Sequence, residues 1–235
     1  MLGAIDDATS EVVAALFRNE EDTHGSMLLL HQIVAQRDIP LAIYADQHSI
    51  FVYTPDVKET IDEQLADRRD PTQPGRVLDD LQIEMITALS PQAKGRVERL
   101  WGTFQDRLVS ELRLAGISNR DDANRFLKSY LPAHNARFAR LPGETENAYR
   151  PVPAKLDLTV IFAFQYSRTV ANDNKVRAGA TTMQIPANAE RSSYAKAKIL
   201  FCVGLDGSTF VVHNGRRIAY MPSKSPNADI RAERR

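Results

Sequence analysis

The sequence lacks several features that would assign it to a class at once. It contains a single cysteine, Cys202, which excludes an internal disulfide and a cysteine-based zinc site. No apolar run approaches the ~18 residues that a transmembrane helix needs. Residues 1–7 include two acids and no basic residue, which is unlike a secretory signal peptide. We therefore expect a cytoplasmic protein with no membrane partner, in which Cys202 is a small buried apolar residue.

The formal net charge is zero, but the charges are unevenly distributed. Residues 1–90 carry six lysines and arginines against 17 acids, a balance of −11. Residues 91–140 and 141–235 have balances of +5 and +6. An acidic half followed by a basic half suggests a polyanionic partner such as nucleic acid, although surface charge can also segregate without one.

The first ninety residues combine strand and helix patterns. We predict strands over 11–17, 41–44 and 81–87, and a helix over 24–36 that Thr23 caps. The order strand, helix, strand indicates an α/β layer. Residues 54–76 are polar and bounded by prolines, and we predict a mobile insertion there.

Two helices should follow. Pro91 after a capping serine starts a helix whose apolar residues recur at helical spacing as far as Gly116. A second helix should open at Ser118, paired with Asp121 in a capping box, and end or kink at Pro132.

Beyond this point the pattern becomes β-rich. Strand-like segments are joined by Asp-Gly at 206–207 and Asn-Gly at 214–215, two strong hairpin signals. We expect four regions: a core over 1–140, a linker over 141–154, a small β barrel or sandwich over 155–221, and a disordered basic tail over 222–235.

Two carboxylates are candidates for catalysis. Asp46 follows a predicted buried strand, and ligands of α/β sheets gather at the carboxyl ends of strands. Glu98 lies on the long helix, which could turn it toward the same edge. Carboxylates that share an edge can bind Mg²⁺ and support phosphodiester chemistry. The alternative is structural, with Asp46 capping a turn and Glu98 paired with Lys94.

Several motifs now resemble those of DDE transposases and retroviral-type integrases. The segment Lys-Gly-Arg-Val-Glu-Arg at 94–99 is similar to the family's Asn/Lys-Gly-x-x-Glu-Arg helix, and Asp-Asp-Ala-Thr-Ser at 6–10 resembles its Asp-Asp-Ala-Thr/Ser turn. Residues 46–51 resemble the segment of the second catalytic Asp, and 134–138 resemble its His-Asn-x-Arg helix end. Residues 168–174 resemble the opening of the β module. The likeness covers nearly the whole chain, in order.

The resemblance implies an α/β fold, an RNase H-like core followed by a small all-β module. It implies cleavage and strand transfer of DNA by two-metal chemistry, with Asp46 and Glu98 as catalytic Mg²⁺ (or Mn²⁺) ligands. The expected partners are transposon ends, target DNA and further copies of the chain, in association with the nucleoid. Lys94, Arg96, Arg99 and Arg107 would contact phosphates, although simple solvation is the alternative.

Four further residues are expected to have mainly structural roles. Trp101 should pack in the core, as its register on the helix indicates. His134 and Asn135 should cap or hydrogen-bond a helix end and not take part in catalysis. His48 could hydrogen-bond near the metal, and a structural role is the alternative.

The chain also departs from the family pattern. Met1 falls inside the family's second strand, so the core is expected to lack its first strand, and the first catalytic Asp has no counterpart. Asp6 and Asp7 are expected to form a turn instead. We therefore expect this chain to be inactive alone. The alternatives are an inactive remnant that binds DNA or full-length transposase, and an RNase H-like nuclease limited to hydrolysis.

Overall fold

The computed structural model describes residues 1–45, 50–51, 71–87, 91–144, 146–178, 181–189 and 191–223. The side chains of residues 87, 91–97, 99, 100, 181 and 223 are not among the described parts. The described chain divides into two compact units, Met1–Leu156 and Asp157–Arg235. The first mixes helices with short strands and the second is mostly β, so the fold is α/β with a β-rich second unit.

The first unit contains six strands and four helices within its described residues. In chain order they are β1 (Leu2–Ile5), β2 (Val12–Leu16), α1 (Thr23–Arg37), β3 (Ile39–Pro40), β4 (Ala42–Ala45), α2 (Gln73–Asp80), β5 (Glu84–Thr87), α3 (Pro91–Leu114), α4 (Arg120–Phe138) and β6 (Tyr149–Arg150).

The strands of this unit form three separate pairs within the described residues. β1 and β2 make an antiparallel hairpin, β4 and β5 are parallel, and β3 pairs with β6. Helix α1 packs on the β1–β2 hairpin. The helices α3 and α4 bury Phe104, Leu108 and Leu127 against β2, which forms the main core of the unit.

Several predicted boundaries need correction. Helix α1 is capped by Asp22, whose carboxylate accepts from the Gly25 N–H at 2.8 Å, and Thr23 is already helical. Part of the predicted mobile insertion is the helix α2, which Thr72 caps. Strand β5 starts only at Glu84, because α2 extends to Asp80. Residues 54–70 of that insertion lie outside the described residues.

The α3–α4 region differs from the prediction in two details. Asn119 caps α4 by accepting from the Asp122 N–H at 2.9 Å, so the predicted Ser118–Asp121 box is wrong. Pro132 does not end α4, which continues to Phe138, so only the predicted kink stays a prediction. Because proline has no N–H, Pro132 leaves the carbonyl of Lys128 without a hydrogen-bond partner in the helix. Both residues are exposed. Water can satisfy that carbonyl, which makes an interior proline tolerable at this position.

The second unit contains one short helix and seven strands within its described residues. They are α5 (Leu158–Ile161), β7 (Phe164–Thr169), β8 (Lys175–Ala178), β9 (Thr181–Gln184), β10 (Lys198–Val203), β11 (Thr209–His213), β12 (Arg216–Ile218) and β13 (Met221–Ser223).

These strands form two antiparallel sheets around a shared core. One has the order β12-β11-β10-β7 and the other β13-β9-β8. Val176 and Met183 from the second sheet pack with Phe201 and Val211 from the first, so the described residues make a small sandwich and not a closed barrel. The two predicted hairpins are confirmed. Cys202 is fully buried, as expected.

Positive φ angles explain why the two hairpin turns could be predicted from the sequence. Gly207 has φ of 80°, and Asn214 and Gly215 have φ of 49° and 75°. Glycine and asparagine adopt this left-handed region at low cost, and the tight hairpin turns require it. The predicted basic tail lies outside the described residues, apart from Pro222 and Ser223 in β13.

Candidate functional site

The parallel pair of strands defines the candidate edge of the first unit. In the β4–β5 register Ala42 faces Glu84 and Ala45 faces Thr87, so both strands end at the same level. Asp46 is the next residue after β4, although it lies outside the described residues, as does His48. The strand that precedes Asp46 is where the sequence predicted it, but it is not buried as expected, because Tyr44 is 60% exposed and the other residues of β4 are only half-buried. The place of the Asp46 carboxylate stays a prediction.

Helix α3 carries the second candidate acid. Glu98 lies in its second turn, and the side chain is exposed to solvent. Lys94, Arg96 and Arg99 lie on the same helix, but their side chains are outside the described part of the chain. The approach of Asp46 and Glu98 to each other therefore stays a prediction.

A tryptophan fixes the part of α3 that follows Glu98. Trp101 packs edge-to-face on Phe104, with ring centroids 5.5 Å apart, and its ring lies directly against Gly3 of β1. A Cβ at Gly3 would overlap the Trp101 ring, so this close approach requires glycine. The prediction that Trp101 is a packing residue is confirmed, and its contact places the turn after Glu98 beside β1.

Two asparagines of α4 bind the backbone of β2 and its neighbouring residue. Asn135 accepts from the Val12 N–H at 2.9 Å and donates to the Val12 carbonyl at 3.0 Å. Asn124 does the same at Phe17, with distances of 2.7 and 3.1 Å. We expected Asn135 to hydrogen-bond a helix end, and its side chain instead binds a strand that is distant in sequence. The only sequence signal for this pair was that Asn124 and Asn135 are eleven residues apart, about three helical turns, so they lie on the same face of α4.

His134 is buried among aromatic rings. Its ring centroid lies 5.0 Å from that of Phe104 and 4.8 Å from that of Phe138. Burial lowers the pKa of His134. Its Nδ1 is buried and has no hydrogen-bond partner among the described residues. His134 therefore packs among these rings near the end of α4.

The fourth predicted phosphate-binding residue is partly engaged in packing. The Arg107 guanidinium lies 4.3 Å from the centre of the Phe138 ring, while the residue as a whole is exposed. A cation–π contact of this kind leaves the guanidinium edges open to an anion. The prediction that Arg107 contacts phosphate stays a prediction.

Asp6 has the turn role that the sequence predicted. Its carboxylate accepts from the Thr9 N–H at 2.8 Å and from the Thr9 hydroxyl at 3.0 Å. The Tyr149 hydroxyl donates to the same carboxylate at 3.2 Å. Burial, followed by the negative charge of Asp6, raises the pKa of Tyr149 to about 12. Within the described residues, no three side chains of the metal-binding types come together.

The architecture defines a class of protein in which an α/β unit with a parallel strand pair is followed by a small β sandwich. Comparison with known proteins relates the sequence to transposases. It is 32% identical over 194 residues to y4bF of Sinorhizobium fredii, which is named as a transposase. It is 31% identical over 210 residues to the transposase for insertion sequence IS1202 of Streptococcus pneumoniae.

These matches cover 76% and 88% of this chain but only 41% and 43% of the relatives, so the chain spans about two fifths of their length. No protein-family model matches the sequence. Among the described helices, none is both long and apolar enough to cross a membrane.

Proposed function

We propose that this chain is part of the catalytic region of a DDE transposase with an RNase H-like core. The parallel β4–β5 pair carries this proposal, because its two strands end level and Asp46 directly follows one of them. The exposed Glu98 lies on the helix that follows the other. The similarity to two transposases supports the same assignment.

The chemistry of the two acids suits Mg²⁺ or Mn²⁺. Exposed carboxylates are hard oxygen ligands that these ions accept together with bound water. A metal pair at this edge would activate an attacking oxygen and stabilise a leaving one in phosphodiester chemistry. The residues fit such a site only in part, because Asp6 is committed to its turn and no third ligand is assigned.

The remaining partners follow from the same proposal. DNA would be the substrate, as transposon end and as target, and several copies of the chain would act together on it. Positive charge on α3, from Lys94, Arg96, Arg99 and Arg107, would neutralise phosphates beside the two acids. An inactive remnant that binds DNA or full-length transposase is the alternative, because the third metal ligand is unassigned.

Substitution of the two acids tests the site. We expect Mn²⁺ to bind the chain, as measured by titration calorimetry, and Asp46→Asn and Glu98→Gln each to weaken that binding at least tenfold. Glu111→Gln is the matched control, because Glu111 is an exposed acid on the same helix and should not affect binding. Equal affinity in all four proteins, or no binding by the parent, would overturn the site assignment.

Activity separates the enzyme from the remnant. We expect no Mg²⁺-dependent nicking or strand transfer of DNA by this chain alone. Activity that both substitutions abolish would support the site and overturn the expected inactivity. Activity that survives both substitutions would overturn the assignment of Asp46 and Glu98.

A further inference from the structure

The segment after α4 returns across the first unit and makes contacts far from it in sequence. We call residues 148–152 the strap. Its strand β6 pairs antiparallel with β3, where Arg150 faces Ile39 and Tyr149 faces Pro40. The strap lies within the predicted linker, and it contacts residues just before both strands of the candidate edge.

Arg150 contacts the start of both strands. Its backbone pairs with Ile39, three residues before β4 begins. Its guanidinium donates to the carbonyls of Leu81 and Gln82, the latter at 3.1 Å, just before β5 begins. Hydrogen bonds from a charged donor are stronger than neutral ones, and one guanidinium can hold two acceptors in a fixed geometry. Arg150 therefore bridges the entry points of the two parallel strands.

A backbone chain of hydrogen bonds reinforces this bridge. The Leu41 N–H donates to the Ala148 carbonyl of the strap at 2.9 Å. The Leu41 carbonyl in turn accepts from the Glu84 N–H at 3.0 Å. One continuous series of backbone hydrogen bonds thus links the strap to the start of β4, and the start of β4 to the start of β5. A shift of either strand along the other would break this chain.

The strap also reaches the hairpin of the first unit. The Tyr149 hydroxyl donates to Asp6 in the β1–β2 turn, and the Val152 N–H donates to the Asp38 carboxylate at 3.4 Å. Within the described residues no strand ladder joins β1–β2 to β4–β5. The strap is therefore a direct polar connection between the two pairs of strands.

We propose that Arg150 and Tyr149 are positioning residues for the candidate metal site. The strap holds the amino-terminal ends of β4 and β5 and thereby sets the level of their carboxyl ends, from which Asp46 and α3 continue. This inference rests on the proposed function for its consequence at the metal. The arrangement of the strands can be tested without any metal.

Hydrogen exchange tests the arrangement directly. We expect Arg150→Gln to speed amide exchange in peptides covering residues 81–87 by about tenfold, the factor that one lost hydrogen bond from a charged donor would give. Arg150→Lys should restore most of the protection. Arg125→Gln is the matched control, because Arg125 is an exposed arginine that pairs only with Asp122 in the described contacts. Exchange over 198–203, in the second unit, should not change.

Metal affinity distinguishes positioning from bulk stability. At a temperature where all variants are folded, we expect Arg150→Gln and Tyr149→Phe to weaken Mn²⁺ binding at least threefold, and Arg150→Lys to recover it. A residue with only a structural role would lower the melting temperature and leave the affinity of the folded chain unchanged, which would overturn the inference.

The two readouts separate the two proposals. If the parent binds no Mn²⁺, the proposed metal site fails, and exchange over 81–87 still decides whether the strap holds the strands. Unchanged exchange in Arg150→Gln would overturn the strap even where metal binds. If Arg150→Gln does not fold, the milder Tyr149→Phe, which removes one hydroxyl, serves for the metal measurement and for exchange over residues 6–12, beside its partner Asp6.

Discussion

Replacement of Asn135 by alanine should destabilise the first unit by about 1–3 kcal/mol. The Asn135 carboxamide makes two hydrogen bonds with the backbone of Val12, one as acceptor and one as donor. Val12 is 2% exposed, so water cannot easily replace either bond. Each neutral hydrogen bond contributes about 0.5–1.5 kcal/mol net, and removal of one partner leaves the other unsatisfied.

Asn135→Asp gives a sharper test of the same contact. The aspartate can still accept from the Val12 N–H, but at neutral pH it has no proton to donate to the Val12 carbonyl. Two oxygens with negative charge density would then face each other. We expect Asn135→Asp to be at least as destabilised as Asn135→Ala at pH 7, and to recover when the carboxyl is protonated at about pH 4 or below.

Urea unfolding followed by tryptophan fluorescence is the assay, because Trp101 is the only tryptophan and lies in the first unit. Asn124→Ala removes an equivalent pair of bonds at Phe17 and should give a loss of similar size. Gln105→Ala is the matched control, because it removes an exposed carboxamide from α3 of the same unit and should leave the curve nearly unchanged. A loss below about 0.5 kcal/mol in Asn135→Ala, less than one ordinary hydrogen bond, would refute the reasoning.

Three further predictions concern titration and association. Burial lowers the pKa of His134, so the unfolded chain binds a proton at higher pH than the folded chain does. The free energy of unfolding should therefore fall as the pH drops below about 6.5. Thermal melts of His134→Phe should show a melting temperature that depends less on pH in this range. The pKa of Tyr149 is raised to about 12, so the folded chain keeps this proton to higher pH than the unfolded chain does. The free energy of unfolding should therefore fall between pH 10 and 12. Tyr149→Phe should reduce that fall, and an unchanged pH profile in this variant would contradict the prediction. Tyr44 is 60% exposed on β4; light scattering should show less association of Tyr44→Lys, because charge discourages pairing between strand edges.

Much of the secondary structure was predictable because its signals are local. The turns at 206–207 and 214–215 need backbone angles that glycine and asparagine supply, and the hairpins form there. Pro91 marked the start of α3, because proline is favoured at the first position of a helix. Helix α2 carries the same kind of signal, a Thr72 cap followed by Pro74, but the polar residues before it suggested a loop.

The contacts that organise the candidate edge were not predictable in this way. Asn135 and Val12 are 123 residues apart, and Arg150 and Leu81 are 69 apart. An asparagine on a helix or an arginine after a loop has no local pattern that names its partner. The strand that leads to Asp46 could be predicted because a short apolar run favours a strand, although Tyr44 in that strand is 60% exposed. Its support by the strap depends on the tertiary fold.

The distribution of these contacts has a consequence for the size of the functional unit. Both candidate acids occur within the first 98 residues, yet the side chains that hold the strands come later, from Asn124 and Asn135 on α4 and Arg150 on the strap. A piece that ended with α3 would contain both acids and would lose the bonds to Val12 and Phe17, as well as the bridge before β5. The strands next to these acids in the sequence are therefore held by residues that follow them, and on the proposed function the unit needed to position the acids extends to Val152.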